Sequence, residues 1–245
     1  IPAGLFQGNT NIKSVTIPNT VTEIAANAFA NCREITGTIT VPDSVVTIGK
    51  GAFQYCQKVQ HIILPSSITR IENNTFFQCH SLEEMVIPEN VTYIGGNAFT
   101  RCYQIQTLHI PSKVQTIGNW AFDFTSKLEA FEVDPDNQYF TDVDGVLFSK
   151  DMKKIVRMPV NKALDSYTVP SSVKTLSVSA FRSCASIKTI VIPSPNITLQ
   201  NDVFYNVPNT VTIEINATSD YIATHWPSNW KNGCSANIVY LQDES

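Results

Sequence analysis

The sequence has few charged residues and no marked excess of either sign. Charged residues make up 16% of its 245 positions, and the formal net charge is −4. Because nucleic acids and anionic membranes select for basic charge, neither is expected as a partner. Apolar runs are also short, and none approaches the ~20 residues that span a bilayer. We therefore expect no direct membrane insertion by this part of the chain.

The motifs of common enzyme classes are missing as well. The sequence contains no G-x-S-x-G, no glycine-rich phosphate loop and no C-x₂-C pair. Asp142–Leu147 reads DVDGVL, like the aspartate loop of haloacid-dehalogenase-type phosphatases, but no buried strand precedes it. These aspartates and Asp134, Asp136 and Asp151 lack EF-hand spacing; we expect solvated turn carboxylates, with a weak Ca²⁺ site as the alternative. The sequence thus predicts neither an enzyme nor a cofactor nor a metal site.

What the sequence does contain is a regular repeat. Phenylalanine recurs at steps of 23 or 24 residues, with one longer step before the last pair, at Phe6, Phe29, Phe53, Phe76, Phe99, Phe122, Phe181 and Phe204. Proline keeps the same spacing at Pro18, Pro42, Pro65, Pro88, Pro111, Pro170 and Pro193. A period of this length, held in phase by two residue types, predicts a solenoid in which each unit packs on the next.

One repeat unit is interpreted as a short strand followed by a turn. Met85 and Ile87 lie two apart and point to the same side of the strand, which Pro88 ends because proline cannot donate to a ladder. Phe99 and Cys102 lie three apart and share a face of what we expect to be one helical or 3₁₀ turn. One such coil cannot bury these side chains alone. Stacking of coils predicts a parallel sheet with strands about 4.8 Å apart.

Cysteine occupies one position of this repeat five times, at Cys32, Cys56, Cys79, Cys102 and Cys184. Asn9, Thr125 and Val207 take the same position in other units, so the position selects for a small side chain rather than a thiol. Members of one ladder cannot all pair, and parallel Cβ vectors do not favour a disulfide. We therefore predict buried free thiols that act as small hydrophobes. The state of Cys234, in the tail, stays open.

The stretches VTIPNTVTEIAANAFANC (Val15–Cys32) and MVIPENVTYIGGNAFTRC (Met85–Cys102) resemble the BspA-like, or Treponema pallidum-type, leucine-rich repeats. The resemblance covers about residues 1–215. It implies a right-handed solenoid arc, with a parallel β-sheet on the concave side and short strands and single helical or 3₁₀ turns on the convex side. It also implies an extracellular or surface-attached protein linked with adhesion. No binding residue of the family carries over to a position here.

Three segments are expected. Residues 1–217 form the solenoid, with a β-hairpin insertion near 134–165, and residues 218–245 form a C-terminal cap. The insertion is predicted because the step from Phe122 to Phe181 exceeds two periods and two apolar runs flank a polar turn. In the cap, Trp226 and Trp230 either seal the last coil or stack on a sugar. Since Ile1 lies inside a repeat, the chain is expected to be cut from a longer one.

The functional expectation is a non-enzymatic binding or adhesion module for a protein or glycan at a cell surface or in the extracellular matrix. The alternative is a structural spacer that holds another domain away from the surface. A monomer is expected. The predicted binding face consists of Ile63, Val86, His109 and Glu132, which alternate with inward positions on successive strands, and of Tyr93 in the coil beyond Val86.

Overall fold

The computed structural model describes residues 1–243. The chain forms two compact units, Ile1–Tyr139 and a second unit that begins at Phe140. The single solenoid domain over 1–217 and the cap over 218–245 stay predictions, and positions 244 and 245 of that cap lie outside the described residues. The leucine-rich repeat solenoid itself is confirmed, because both units are built from stacked coils joined by parallel strands.

The first unit has strands β1 (Glu23–Ile24), β2 (Gly37–Thr40), β3 (Thr47–Ile48), β4 (Val59–Ile63), β5 (Arg70–Ile71), β6 (Tyr93–Ile94), β7 (Thr107–Ile110), β8 (Thr116–Ile117) and β9 (Ala130–Val133). The longer strands pair as β2–β4 and β7–β9, and the two-residue strands pair as β1–β3 and β5–β6–β8, all in parallel. Partners such as Thr107 and Ala130 are one repeat apart, so one repeat is one coil.

Two segments of this unit that occupy the strand position of the repeat do not form regular strands. Ser14–Ile17 is not a strand, and Glu84–Ile87 has only an isolated bridge, from Glu84 to His61. The first segment lies beside the coil that belongs to the 24-residue repeat. The extra residue of that repeat is Gly37, which has a φ of +73°, and the register between β2 and β4 shifts at this residue. The second begins at Glu84 and directly follows Glu83, and strands disfavour glutamate.

The segments predicted as single helical or 3₁₀ turns are successive turns closed by hydrogen bonds between residues three apart, as in a 3₁₀ turn. Asn97 and Arg101 have φ of +56° and +62°. These left-handed residues reorient alternate peptides, so Cys102 N–H donates to the Phe99 carbonyl within its own coil at 3.1 Å, while the Phe99 N–H donates to Ala121 in the next coil at 2.8 Å. The alternation excludes a helical ladder and binds each coil to its neighbour instead.

The predicted phenylalanine positions form the core. Successive rings from Phe6 to Phe122 stack with centroids 5.2–6.1 Å apart in the first unit. In the second unit Phe181 and Phe204 stack at 5.7 Å. The five repeat-position cysteines are buried free thiols, as predicted, and Cys234 is a half-buried free thiol.

The second unit has strands β10 (Phe140–Val143), β11 (Val146–Ser149), β12 (Lys154–Arg157), β13 (Leu164–Thr168), β14 (Thr175–Leu176), β15 (Ile187–Ile192), β16 (Thr198–Leu199), β17 (Thr212–Ile215) and β18 (Asn237–Tyr240), with helix α1 (Ser219–His225) between the last two. Parallel pairing joins β12–β14–β16 and β13–β15–β17–β18. The tail therefore adds one more strand to the sheet instead of only covering it.

The DVDGVL stretch is a hairpin. Asp144 and Gly145 have φ of +50° and +75° and form the two-residue turn between β10 and β11, as a type I′ turn requires. β11 then pairs antiparallel with β12 across Lys150–Lys153. Asp151 accepts from Ser149 Oγ at 2.7 Å and from the Lys153 N–H, which makes it a turn-forming carboxylate. Among residues 1–243, no three His, Cys, Asp or Glu side chains are grouped to hold a metal ion.

Candidate functional site

The predicted row lies on the open face of the longer strands. Ile63 and Val86 are 55% and 70% exposed, and each follows a buried residue on the same strand segment, Ile62 and Met85. His109 and Glu132 are exposed and are direct register partners in β7 and β9. The row exists because side chains alternate between core and solvent along an extended strand.

The structure brings three of the five predicted residues into one place. Val86, His109 and Glu132 line a shallow depression of about 750 Å³. Ile63 lines a neighbouring depression of about 580 Å³, together with Thr16 and Thr40. The central surface, which we call the Val86 face, is therefore the part of the row from Val86 to Glu132.

Tyr93 does not join this surface. It lies in β6, among the two-residue strands, where its hydroxyl donates to Asn73 Oδ1 at 3.0 Å. The Arg70 guanidinium lies 4.0 Å from its ring centroid. These contacts give Tyr93 a role in joining coils on the other set of strands. Tyr93 is close to Val86 in the sequence, but the chain turns at Pro88 between them. The two side chains therefore lie on different faces.

Sequence reasoning missed the charged rim of the Val86 face. Glu83, Glu84 and Glu89 line the depression with Glu132, and Lys127 is the lysine that lines it. In the sequence, the adjacent pair Glu83–Glu84 in the repeat that contains Val86 could have indicated this charged rim. Four carboxylates against one ammonium make the rim negative, and such a rim favours a basic partner.

His61 also lines this depression. It pairs with Glu84 and so lies two residues before the register position of Val86 and His109. Because side chains alternate along a strand with a period of two residues, His61 lies on the same face. The depression thus combines an exposed valine, two imidazoles and a carboxylate rim, a combination that suits binding to a surface.

Within residues 1–243 the structure offers no helix that would serve as a membrane span. The helix α1 has seven residues.

Comparison with known proteins gives a family and a fold. The sequence pattern of the BspA-type leucine-rich repeat region matches residues 1–129 and 160–238 in six copies. The unmatched residues between them contain the strands β9, β10, β11 and β12. A comparison with curated proteins finds no match.

Three crystal structures show the same fold. A leucine-rich repeat protein from Eubacterium ventriosum superposes with a TM-score of 0.76 at 27% identity; the match covers 84% of this chain and 54% of that chain, so this chain spans about half of that protein. A leucine-rich cell surface protein from Faecalibacterium prausnitzii has a TM-score of 0.62 at 24% identity over 94% of this chain and 79% of that one. A leucine-rich repeat protein from Bacteroides ovatus has a TM-score of 0.54 at 20% identity over 94% and 70%. Since the family pattern covers most of the sequence, this chain belongs to the BspA-type leucine-rich repeat family.

Proposed function

We propose that this chain is a non-enzymatic binding module that acts outside the cell or on its surface, and that the Val86 face engages a protein partner. The observation that carries the proposal is the exposure of Val86, at 70%, inside a rim of four glutamates. Covering one aliphatic side chain contributes roughly 1.5–3 kcal/mol. The rim adds selection for a partner with Lys or Arg around an apolar side chain.

Family membership supports the broader part of this proposal. Stacked repeats hold side chains of successive coils at fixed spacing, and such surfaces are used for binding in repeat proteins. The Faecalibacterium relative is described as a cell surface protein, which supports the same location here. A module of this kind needs no partner copy, so we propose a monomer.

The test is a binding screen of the 245-residue chain against purified extracellular-matrix proteins and mucins by biolayer interferometry. Val86→Glu places a fifth carboxylate at the centre of the face, and binding should fall at least tenfold because a buried unpaired charge is costly. His109→Glu should act in the same direction. The matched control is Val46→Glu, since Val46 is also exposed, at 58%, but adjoins β3.

Raising the salt concentration from 50 to 300 mM should slow association with the wild type, since screening weakens attraction between the rim and a basic partner. Binding that survives Val86→Glu would refute the assignment of this face. Binding to carbohydrate-only mucin fragments would make the partner a glycan. If no member of the panel binds, the alternative of a structural spacer is favoured.

A further inference from the structure

A second candidate site lies in the second unit, on both sides of Trp230. One depression, of about 330 Å³, is lined by Trp226, Trp230, Lys231 and Tyr240. The other, of about 200 Å³, is lined by Gln200, Asn201, Asp202, Asn229 and Trp230. The larger depression has the size of a small-ligand site, and the smaller one adds polar groups beside it. Trp230 lines both, so one ligand in contact with both would span its ring.

The two tryptophans have different roles. Trp226 is buried, and its indole N–H donates to the Pro195 carbonyl at 2.8 Å, so this residue seals the coil below it. Trp230 is half-buried and forms T-shaped pairs with Phe204, at a centroid distance of 6.1 Å and 77° between planes, and with Trp226, at 5.0 Å and 90°. Its indole N–H donates to no atom of the described residues. Trp230 therefore ends the phenylalanine stack and still offers ring surface and a donor to a ligand.

Lys231 carries the charge in the larger depression. Its ammonium lies 5.1 Å from the Trp230 ring centroid and 5.5 Å from that of Tyr240. Within residues 1–243 it forms no ion pair. Two aromatic rings thus flank an ammonium that has no carboxylate partner among the described residues, at a depression where it can meet an anionic group.

The smaller depression carries amides. Asn201 and Asn229 have side chains without hydrogen bonds to the described residues. Gln200 uses its oxygen to accept from the Val178 N–H at 3.0 Å, which leaves its NH₂ group free. Asp202 is 3.4 Å from Arg182. Amides both donate and accept, as sugar hydroxyls do, so this set complements a neutral sugar.

We propose that the surface around Trp230 binds an acidic oligosaccharide, with the C–H face of a sugar ring against Trp230, its carboxylate or sulfate at Lys231, and a neighbouring neutral sugar at Asn201 and Asn229. This site is separate from the Val86 face and does not depend on the function proposed for that face. No covalent step is involved, and the site recognises rather than alters the saccharide.

The test uses the 245-residue chain labelled with 5-fluorotryptophan and observed by ¹⁹F NMR. The sequence has three tryptophans, and Trp120, in the first unit, is a built-in control. The loss of one resonance in Trp230→Phe assigns Trp230. The probes are 3′-sialyllactose and a hyaluronan tetrasaccharide, with lactose as the neutral comparison. At least one acidic probe should shift the Trp230 resonance and leave that of Trp120 unchanged, and should bind about tenfold more tightly than lactose.

Variants separate the two halves of the site. Lys231→Gln should reduce the affinity for the acidic probe to the lactose level, while Asn229→Ala should weaken all bound probes. Lys188→Gln removes an equal charge from the exposed Lys188–Asp165 pair in the same unit and should change nothing. The proposal is overturned if neither acidic probe moves the Trp230 resonance, or if Lys231→Gln and Lys188→Gln bind equally well. The two proposals can fail separately: Val86→Glu should weaken protein binding and leave saccharide binding intact, whereas Lys231→Gln should weaken saccharide binding and leave protein binding intact.

Discussion

At the residue scale, the repeated cysteine does more than fill space. The thiols of Cys56, Cys79 and Cys102 donate to the carbonyls of the preceding coil's phenylalanine at 3.2–3.3 Å. Thr125, at the same repeat position, turns its hydroxyl to Phe122 in its own coil at 2.8 Å. The position thus accepts several small side chains, but the thiol joins coils. Size was readable from the sequence, whereas this hydrogen bond was not, since its acceptor lies one coil away.

Burial raises the pKa of Cys102, Cys79 and Cys56 well above that of a free thiol. The folded state therefore keeps protons that the unfolded chain releases above about pH 8.5. The free energy of unfolding should consequently fall as pH rises from 8.5 to 10.5, by up to about 1.4 kcal/mol per pH unit for each buried thiol. Urea unfolding at a series of pH values measures this slope.

The control for the alkaline effect is Cys102→Val, which removes one titrating thiol and keeps a small side chain. Its slope should be shallower than that of the wild type by about one proton. An unchanged slope would mean that Cys102 ionises equally easily in the folded state. The quantity to compare is the difference in slope between the two proteins, because the substitution removes only the Cys102 thiol.

At the scale of the element, close approach of consecutive turns sets the glycine positions. A Cβ on Gly95 would lie 2.4 Å from the Asn73 nitrogen of the preceding coil, and one on Gly118 would lie 2.4 Å from the Gly96 nitrogen. The glycine pair at Gly95–Gly96 was visible in the sequence as a turn signal. That the first glycine is needed for packing between coils became clear only from the stacked backbones.

Gly95→Ala should therefore destabilise the protein by about 1–3 kcal/mol, as overpacking does. Gly96→Ala is the matched control, since its Cβ would lie 3.2 Å from the Asn119 carbonyl and other coils carry Lys50 or Asn119 at this position. The midpoint of urea unfolding gives both values. If both variants lose the same free energy of unfolding, the turn itself, and not contact with the neighbouring coil, excludes a larger side chain.

At the scale of the whole molecule, stability comes from contacts between coils. Phe99 stacks between Phe76 at 5.4 Å and Phe122 at 6.0 Å, so each ring completes the cores of two neighbours. Phe99→Ala should lower the free energy of unfolding by about 3–5 kcal/mol. Hydrogen exchange should also quicken at amides in the adjacent coils, because each coil is stabilised by the next.

Phe77→Ala is the control for Phe99→Ala, because Phe77 is half-buried and outside the stack. Phe77→Ala should lower the free energy of unfolding by clearly less than Phe99→Ala does. It should also leave hydrogen exchange in the neighbouring coils close to that of the wild type. A Phe99→Ala protein with the same free energy of unfolding as the wild type would contradict a stabilising role for the phenylalanine stack. Exchange that quickens in one coil alone would limit each ring's contribution to its own coil.

The sequence by itself determined the repeat, its period, the buried phenylalanines and cysteines, and the exposed alternation at Ile63, Val86, His109 and Glu132. All of these follow from local spacing, since a residue's position in a coil decides whether it faces core or solvent. The same spacing could not show that Glu84–Ile87 is only weakly paired or that Tyr93 joins other strands, because both depend on neighbouring coils.

Only the tertiary structure decided which exposed residues share a surface. It joined Glu83 and Glu89 to Val86 and His109, and placed Asn201 beside Trp230, across residues far apart in the chain. It also showed that in the expected helical or 3₁₀ turns the backbone hydrogen bonds alternate between their own coil and the next. The physical reason is common to these cases: stacking matches backbone hydrogen bonds between coils, and those bonds fix where each side chain meets its neighbours.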